Sequence, residues 1–438
     1  MKDTAITLPD KLAQFQTADE ILSKAQHSGR NTRPCDVLVL DARLRQSLVT
    51  LRSLGKRGKH LAALEFSNNL ADSLAVPAFS SRWCRQSFVA PAYEESTEPF
   101  FTYLEKVLDL TGARVIITSS DGTVEALRKY RNQLEPRVRI ALAKQSALDI
   151  AINKDQTLEI AARLGIGTPP GVNLGSVDEV TAAVREISLP AVVKPIESWV
   201  WGEQKGSRLT CRLVTTPDEA RLAVEELTCS GGRVLFQKFL AGRREAVNFL
   251  YANGEVYARF AQWARRTQPP LGGTSVFRQS IAIPADIGDQ SERLVREIEL
   301  EGYSEVEFRR DSYGKPYLME INPRLSASVE VAVRAGVDFP YLLYQWANGD
   351  RIDRVSGYRT GSWMRYLGGD FQTTLQTFVQ RGRPGVTPPS KALLEFLGAF
   401  LIPAGYDYLD WTDARPAWIA TVNFARYAAR KLKFHSKG

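Results

Sequence analysis

The stretch EVEFRRDSYGKPYLMEINPRLSAS, residues 305–328, predicts the local fold most clearly. Two segments that alternate apolar and polar residues flank the turn DSYGKP, which is typical of an antiparallel β-hairpin. Glu307 lies in the first strand and Glu320 in the second. Such a hairpin can place both carboxylates on one face of the sheet. Asn322 lies two residues beyond Glu320 and points the same way.

Two carboxylates and an amide oxygen form a hard oxygen-ligand set, which suits Mg²⁺ bound together with substrate phosphates. The simpler interpretation is that both glutamates are solvent-facing strand residues. Apolar residues on either side of each glutamate weaken that interpretation. We therefore predict Glu307, Glu320 and Asn322 as metal ligands.

Lys194 closes the apolar strand PAVVKPI at residues 190–196. A buried ammonium group needs an anionic partner, and a nucleotide phosphate is one candidate. A lysine that reaches solvent at a strand end is an equally good interpretation. Lys154, in the first turn of the helix that follows Asn153, is a weaker candidate of the same kind.

Length and composition limit the classes of protein. The 438 residues exceed one typical domain of about 100 to 200 residues, which predicts two or three structural units. With 44% hydrophobic and 24% charged residues, fibrous and wholly disordered proteins are excluded. The formal net charge of +8 suits an anionic ligand such as a nucleotide, a nucleic acid or an anionic membrane, without choosing among them.

Cysteines and histidines are few. Four cysteines lie far apart and three histidines do not cluster, which argues against a disulfide framework, a thiolate metal site or a histidine-based site. The N-terminal residues lack the apolar core of a secretory signal. The longest apolar stretch, residues 396–405, is about half as long as the roughly 20 residues of a spanning helix. We expect a cytoplasmic protein.

Strands alternate with helices from residue 36 to about 143, in segments such as DVLVLDA and ARVIITSS. This alternation predicts right-handed crossover units and a small parallel, Rossmann-like sheet. From residue 144 the order is mixed, and EAVNFLYANGEVYARFAQW indicates antiparallel strands joined by an Asn-Gly turn. The predicted fold class is therefore α/β followed by α+β.

Four segments, in this order and spacing, resemble the ATP-grasp superfamily. They are NKDQTLEIAARLGIGTPPG, AVVKPI, VLFQKFLAG and the hairpin at 305–328. Together they cover roughly residues 145–350, and the preceding module is similar to the Rossmann-like domain that precedes the family's ATP-grasp domain. The resemblance implies the domains that follow: an N-terminal extension (1–35), a Rossmann-like domain (36–143), an ATP-grasp domain (144–350) with a small lid subdomain (about 185–240), and a C-terminal helical extension (351–438).

The resemblance also implies site roles. Lys154 and Lys194 match the lysines that hold the nucleotide phosphates. The backbone near Lys238 and Phe239 matches the hinge that binds adenine, although Gln237 stands where the family usually has Glu.

On the metal side, the resemblance implies that Glu307, Glu320 and Asn322 are Mg²⁺ ligands. It places Arg324, in the Asn-Pro-Arg sequence, near the transferred phosphoryl group.

The segment ESWVWGEQKGSRLT at 197–210 departs from the family's glycine-rich phosphate loop. Lys205 and Arg208 can supply charge in place of backbone amides. Trp199 and Trp201 either pack in the core or belong to a lid that excludes water.

For the substrate, three arginines flank the Gly272-Gly273 turn of ARRTQPPLGGTSVFRQS, and Arg278 is the last of them. Arginine forks suit carboxylate recognition, whereas a solvated loop face is the alternative. We predict that Arg278 and Arg324 bind a substrate carboxylate.

The expected function is that of an ATP-dependent ligase, which activates a carboxylate as an acyl phosphate and couples it to an amine. The expected cofactors are ATP and two Mg²⁺ ions, with Mn²⁺ as an alternative. Other candidates are a bicarbonate-activating carboxylase or carbamoyl-phosphate-type enzyme, and a nucleotide-binding regulatory protein without turnover. A nucleic-acid-binding role has only the net charge in its favour, so no specific nucleic-acid partner is expected. The expected partners are the small-molecule carboxylate and amine, with a homodimer as a further candidate assembly.

From Pro416 onward, apolar residues recur at helical spacing and basic residues follow without any acidic one. A basic amphipathic helix can lie on an anionic membrane surface or dock on a partner protein. The alternative is a terminal helix that packs on its own domain.

Overall fold

The computed structural model describes residues 34–67, 75–93, 96–201, 206–229 and 232–435. It contains three main sheets and one two-stranded hairpin within these ranges. The expected succession of a parallel sheet and antiparallel sheets is confirmed.

The first sheet is parallel, with strand order β3-β2-β1-β4-β5. Its strands are β1 (Val37–Val39), β2 (Leu61–Phe66), β3 (Gln86–Ala90), β4 (Val115–Ile117) and β5 (Arg139–Ile140). The apolar residues of β1 are fully buried because the sheet is covered on both faces. Strand order reverses between β1 and β4, so the crevice at their carboxyl ends is where such sheets commonly bind ligands.

The helices of this unit follow the sequence expectation. They are α1 (Arg45–Lys56), α2 (Thr97–Thr111), α3 (Asp121–Lys129) and α4 (Arg131–Leu134). At the end of β1, the Asp41 carboxylate accepts hydrogen bonds from the Ser119 N–H (2.8 Å), Ser120 Oγ (2.9 Å) and Thr123 Oγ1 (2.8 Å). These bonds fix the turn from which α3 begins at Asp121.

A small antiparallel sheet, which we call the lid sheet, has strand order β10-β7-β11-β6. Two helices, α5 (Gln145–Ile152) and α6 (Lys154–Arg163), precede it. Its elements are β6 (Gly171–Leu174), α7 (Val180–Ile187), β7 (Ala191–Pro195), β10 (Arg212–Val214), α8 (Pro217–Thr228) and β11 (Val234–Lys238). Because β6 pairs with β11, this unit begins near residue 171 rather than at the predicted 185.

A hairpin of β8 (Trp199–Trp201) and β9 (Gly206–Arg208) extends between β7 and β10. It makes no strand pair with the lid sheet in the described residues.

The third sheet has seven strands, in the order β16-β15-β12-β13-β14-β17-β18. Neighbouring strands are antiparallel except for the last pair. The strands are β12 (Arg244–Ala252), β13 (Glu255–Gln268), β14 (Thr274–Ile281), β15 (Gly302–Arg310), β16 (Pro316–Asn322), β17 (Trp363–Arg365) and β18 (Ala404–Tyr406). The edge hairpin β15–β16 is the one predicted from residues 305–328.

Six helices accompany the large sheet and the C-terminal region. They are α9 (Ala285–Ile298), α10 (Glu330–Ala335), α11 (Phe339–Asn348), α12 (Leu367–Val379), α13 (Pro389–Gly398) and α14 (Arg415–His435). The region beyond residue 350 also contributes β17 and β18 to the large sheet, so it is more than the helical extension expected from sequence.

The lid sheet has its own hydrophobic core, built with α7 and α8. The first sheet and the large sheet instead share two cores, as Leu38 and Val306 in one cluster illustrate. A cleft lies between β16 of the large sheet and helices α3 and α6, with residues Glu197–Trp199 at its edge. Lys194 of the lid sheet contacts Met319 of β16. Within the described part of the chain, no helix combines the length and hydropathy of a membrane span.

Candidate active site

The two glutamates of the predicted hairpin lie directly opposite each other. Glu307 of β15 pairs with Glu320 of β16, and Glu305 pairs with Asn322. Because side chains two residues apart share a face of a strand, all four point to the same side. Sequence reasoning predicted three of these residues and missed Glu305.

The carboxylate of Glu307 is held by Arg244, at the start of β12. Arg244 donates from Nε to Oε2 at 2.8 Å and from Nη2 to Oε1 at 2.6 Å, and the Asn322 amide donates to Oε1 at 3.2 Å. Burial raises the pKa of Glu307 to about 7; the charges of Glu320 and Glu305 add to this, and Arg244 opposes it. The Glu307 carboxylate is therefore buried close to two further carboxylates, Glu305 and Glu320.

Glu320 faces the two predicted lysines. Burial raises its pKa, but the charges of Lys154, Arg244 and Lys194 outweigh that effect and leave the pKa below its ordinary value. Glu320 and Lys154 line one cavity together with Asn322 and Arg324. The structure thus brings the predicted metal and phosphate residues to one place.

Each lysine is positioned by the start or end of an element. Lys154 is the first residue of α6, after the Asn153 cap, and its Nζ lies 3.3 Å from Ser198 Oγ. Lys194 is in β7, and its Nζ lies 3.8 Å from the Met319 sulfur, across the cleft. Burial lowers the pKa of Lys194. Its partner is a weak acceptor, so an anionic ligand would be a stronger one.

Arg324 points toward the first sheet. Its Nε donates to Asp121 at 2.5 Å and its Nη2 to the Asn322 Oδ1 at 3.3 Å. Arg208 of β9 lies 3.5 Å from the second oxygen of Asp121. Burial lowers the pKa of Arg324, but the adjacent Asp121 outweighs this and raises it. Arg324 therefore stays charged in the cleft.

The backbone N–H groups of the predicted hinge are already hydrogen-bonded within the protein. The N–H groups of Lys238 and Phe239 donate to the carbonyls of Pro170 (2.9 Å) and Pro190 (3.2 Å). These two amides are thus occupied inside the protein and do not fit the predicted adenine contact. Gln237 is buried, and its Nε2 has no hydrogen-bond partner among the described residues.

The side on which Gln237 lies follows from strand alternation. Its neighbour Phe236 belongs to the lid core, so Gln237 faces the other side of the sheet. Lys194 faces that same side, because it pairs with Leu235, which is two residues before Gln237. Gln237 therefore remains a candidate adenine contact through its side chain.

The β8–β9 hairpin packs on the first unit. Trp199 is buried, with its ring centroid 5.4 Å from that of Tyr93 and 5.5 Å from that of Trp201. A Cβ at Gly206 would lie 2.6 Å from atoms of both tryptophan rings, so only glycine fits there. Of the two interpretations, core packing is confirmed for Trp199, whereas Trp201 is exposed. Lys205 lies outside the described residues.

Arg278 is the clearest error of the sequence prediction. Its side chain is fully buried and donates to both oxygens of Asp407, at 2.5 and 3.1 Å. Asp407 also accepts from Arg45 of α1. A substrate carboxylate cannot reach this guanidinium because an internal carboxylate already occupies it. Arg266 is likewise paired with a buried acid, Asp370.

Three residues of the site were not predicted: Asp121, Arg244 and Glu305. Glu305 accepts hydrogen bonds from Asn248 (3.0 Å), Gln262 (2.9 Å) and Ser328 (3.2 Å). Strand alternation with Glu307 was the available signal for Glu305. Arg244 and Asp121 come from distant segments, and no local pattern connects them to the hairpin.

The residues present fit a magnesium ion. Glu307, Glu320 and Asn322 offer the oxygen donors that Mg²⁺ prefers, and they lie on one face of the β15–β16 hairpin. Across the described ranges, no group of three or more His, Cys, Asp or Glu side chains is arranged to hold an ion.

Comparisons with known proteins show similarity to part of the chain. A family model described as "ATP-grasp in the biosynthetic pathway with Ter operon" matches residues 232–367. The carbamoyl phosphate synthase large chain of Thermomicrobium roseum is 27% identical over 227 residues, which cover 50% of this chain and 20% of that protein. The chain thus spans about a fifth of the length of that relative.

Two solved structures share the fold. Biotin carboxylase from Campylobacter jejuni has a TM-score of 0.59 at 16% identity, covering 75% of this chain and 74% of that one. An L-amino acid ligase from Bacillus licheniformis has a TM-score of 0.54 at 18% identity, covering 72% and 75%. The match over residues 232–367 is to an ATP-grasp family model, and the fold is shared with the two solved structures.

Proposed function

We propose that this protein is an ATP-dependent ligase that joins a carboxylate to an amine. The observation that carries the proposal is the convergence of Glu307, Lys154 and Lys194 around Glu320. Two carboxylates can hold Mg²⁺, and two lysines can neutralise nucleotide phosphates. The similarity in fold to an L-amino acid ligase supports the same reaction type.

The reaction has two steps. An oxygen of the substrate carboxylate attacks the γ-phosphorus of ATP. The bond between that phosphorus and the oxygen that bridges to the β-phosphate breaks. ADP is released, and the acid has become an acyl phosphate. The amine then attacks the acyl carbon, phosphate departs with the C–O bond electrons, and the nitrogen loses a proton to solvent. Neither step requires a covalent enzyme nucleophile.

The protein's contribution is charge and position. Lys154 and Lys194 bind phosphate oxygens, and Arg324, held by Asp121, neutralises charge on the transferring group or the acid. Mg²⁺ bound by Glu307, Glu320 and Asn322 would neutralise the triphosphate. We expect two ions, with Mn²⁺ able to replace them. The Gln237 side chain contacts adenine in this proposal.

The β8–β9 hairpin covers the cleft from the side of the first unit. Because Trp199 anchors it against Tyr93, the hairpin can exclude water from the acyl phosphate. Hydrolysis of the intermediate would otherwise compete with attack by the amine.

A screen for ADP formation tests the proposal. Purified protein is incubated with Mg-ATP and pairs of carboxylates and amines, and ADP is measured by a coupled assay. ADP release that needs both partners, with an equimolar amide product by mass spectrometry, is the expected result. Nucleotide binding without ADP release from any pair would instead indicate a regulatory protein.

Bicarbonate is the second candidate acid. The names of similar proteins favour it, because they include carbamoyl phosphate synthase and biotin carboxylase. ADP release that depends on bicarbonate, with transfer of labelled carbon to an amine or a biotin carrier, would replace the ligase proposal by this one.

A further inference from the structure

The C-terminal helices expose a large amount of apolar side chain. In the described part of the chain, thirteen of the sixteen exposed large hydrophobic residues lie between residues 367 and 427. A typical soluble monomer scatters such residues singly over its surface. Their concentration in one region indicates a surface that contacts something apolar.

Helix α12 buries polar side chains and exposes apolar ones. It buries Asp370 and three threonines, whereas Leu375, Phe378 and Val379 are exposed, the last of them to 88%. A helix of a soluble domain normally shows the opposite pattern. The buried Asp370 is satisfied by Arg266 and Arg365, so the inward polar face is a stable arrangement.

Helix α13 repeats the reversal. It buries only Ala392, while Leu394 is 70% exposed and Leu397 lies one turn further on. The following 3-10 turn, Ala399–Leu401, exposes Leu401 to 89%. Phe371 of α12 contacts Phe396 of α13 with ring centroids 6.0 Å apart, so the two exposed stripes adjoin. We define the apolar face by the following residues: Leu375, Phe378, Val379, Leu394, Leu397 and Leu401.

The sequence that follows α12 carries a positive net charge. From residue 381 to the C-terminus the sequence has nine Lys and Arg residues and four Asp and Glu residues. Three of the four acids, Asp407, Asp410 and Asp413, form ion pairs with the first helix of the fold, α1. Glu395 is the one acid of this segment for which the described residues show no ion pair.

The basic end of the chain begins beside the apolar face. Phe424 of α14 packs on Phe371, with ring centroids 5.6 Å apart. Trp418, six residues earlier, and Arg426, two residues later, are both exposed. The sequence then adds Arg430, Lys431 and further basic residues.

We propose that the apolar face and the basic end of α14 dock the protein on the surface of a membrane that contains anionic lipids. A bilayer interface of this kind offers both an apolar phase and negative headgroups, which match the two properties of the surface. A second copy of the chain fits less well, because a two-fold interface would place the same basic segments against each other. This proposal does not depend on the ligase activity.

Vesicle flotation of the full chain tests the proposal. Vesicles of phosphatidylcholine with about one third phosphatidylglycerol are compared with vesicles of phosphatidylcholine alone. The expected result is at least about tenfold more protein bound to the anionic vesicles, falling with added salt. Equal binding to both vesicles, or no binding to either, would overturn the proposal.

A pair of variants assigns the contact to the apolar face. Leu394→Glu combined with Leu401→Glu should remove vesicle binding without changing the unfolding temperature, because both side chains are already in solvent. Leu222→Glu on α8, where the leucine is 66% exposed, is the matched control and should bind as the parent chain does.

Retained binding of the double variant would contradict the proposal. The proposal would also be contradicted if light scattering showed that the parent chain is a dimer that does not bind vesicles and that the double substitution dissociates. The apolar face would then be covered by a second copy.

Discussion

Asp121 and Arg324 join two parts of the fold at the candidate site. Asp121 is the first residue of α3, beside the switch point of the parallel sheet, and accepts from Arg324 Nε at 2.5 Å. Arg208 of the β8–β9 hairpin approaches the same carboxylate at 3.5 Å. One half-buried acid therefore orients an arginine of the large sheet and contacts the hairpin.

Replacing Asp121 should impair turnover more than folding. Asp121→Asn keeps the shape of the side chain but weakens the charge-assisted bond that orients Arg324. We expect ADP formation to fall about tenfold or more, mainly through kcat, with the unfolding temperature nearly unchanged. Steady-state kinetics checks this. Glu299→Gln, which alters an exposed ion pair with Lys144, is the control. Equal rates for both variants would contradict the role of Asp121.

Glu320→Gln should abolish metal-dependent turnover. The substitution removes a negative charge from the predicted ligand set but keeps the volume of the side chain, so we expect a loss of about 100-fold or more. Circular dichroism should show an intact fold. The matched control is Glu297→Gln on α9, an exposed position. Wild-type rates from Glu320→Gln would remove this residue from the metal site.

Lys194→Met should weaken nucleotide binding. The methionine can occupy the same space beside Met319, whereas the ammonium group that faces the cleft is lost. The loss of one charge-assisted phosphate contact predicts a Kd for a non-hydrolysable ATP analogue that is about 10 to 100 times higher. Titration calorimetry measures this, with the exposed Lys144→Met as control. An unchanged Kd would show that Lys194 does not contact phosphate.

Glu65 should make stability depend on pH. It lies at the end of β2, where burial and then the charge of Asp41 raise its pKa to about 7 against hydrogen bonds that lower it. The folded state therefore binds more protons than the unfolded state between about pH 4.5 and 7, so stability falls as pH rises through this range.

The variant Glu65→Gln should relieve this cost. At pH 8 the free energy of unfolding should rise by up to about 3 kcal/mol, and at pH 5 by clearly less. Thermal unfolding at both pH values checks the prediction. The same stabilisation at pH 5 and pH 8, or none at either, would show that the carboxylate is not held at a raised pKa.

Sequence patterns predicted the features of the fold that depend on residues close together in the chain. The alternation around residues 305–322 sets which side chains share a face, so the opposition of Glu307 and Glu320 could be predicted from the hairpin alone. Lys194 followed from its place at the end of an apolar strand.

Pairings between distant segments could not be predicted in this way. Arg278 resembled a substrate-binding residue because nothing near it in sequence shows that Asp407, 129 residues later, would neutralise it. The N–H groups of Lys238 and Phe239 are occupied by carbonyls of two other loops. The reversed polarity of α12 also depends on a tertiary contact, the pairing of Asp370 with two buried arginines.

The central claim is that Glu307 and Glu320 hold a divalent ion opposite Lys154 and Lys194. A crystal structure with Mn²⁺ and a non-hydrolysable ATP analogue tests it most directly, because the anomalous signal of manganese locates the ion. We predict a peak within coordination distance of both carboxylates, with phosphate oxygens between the ion and the two lysines. A nucleotide bound elsewhere, or a peak away from these carboxylates, would contradict the claim.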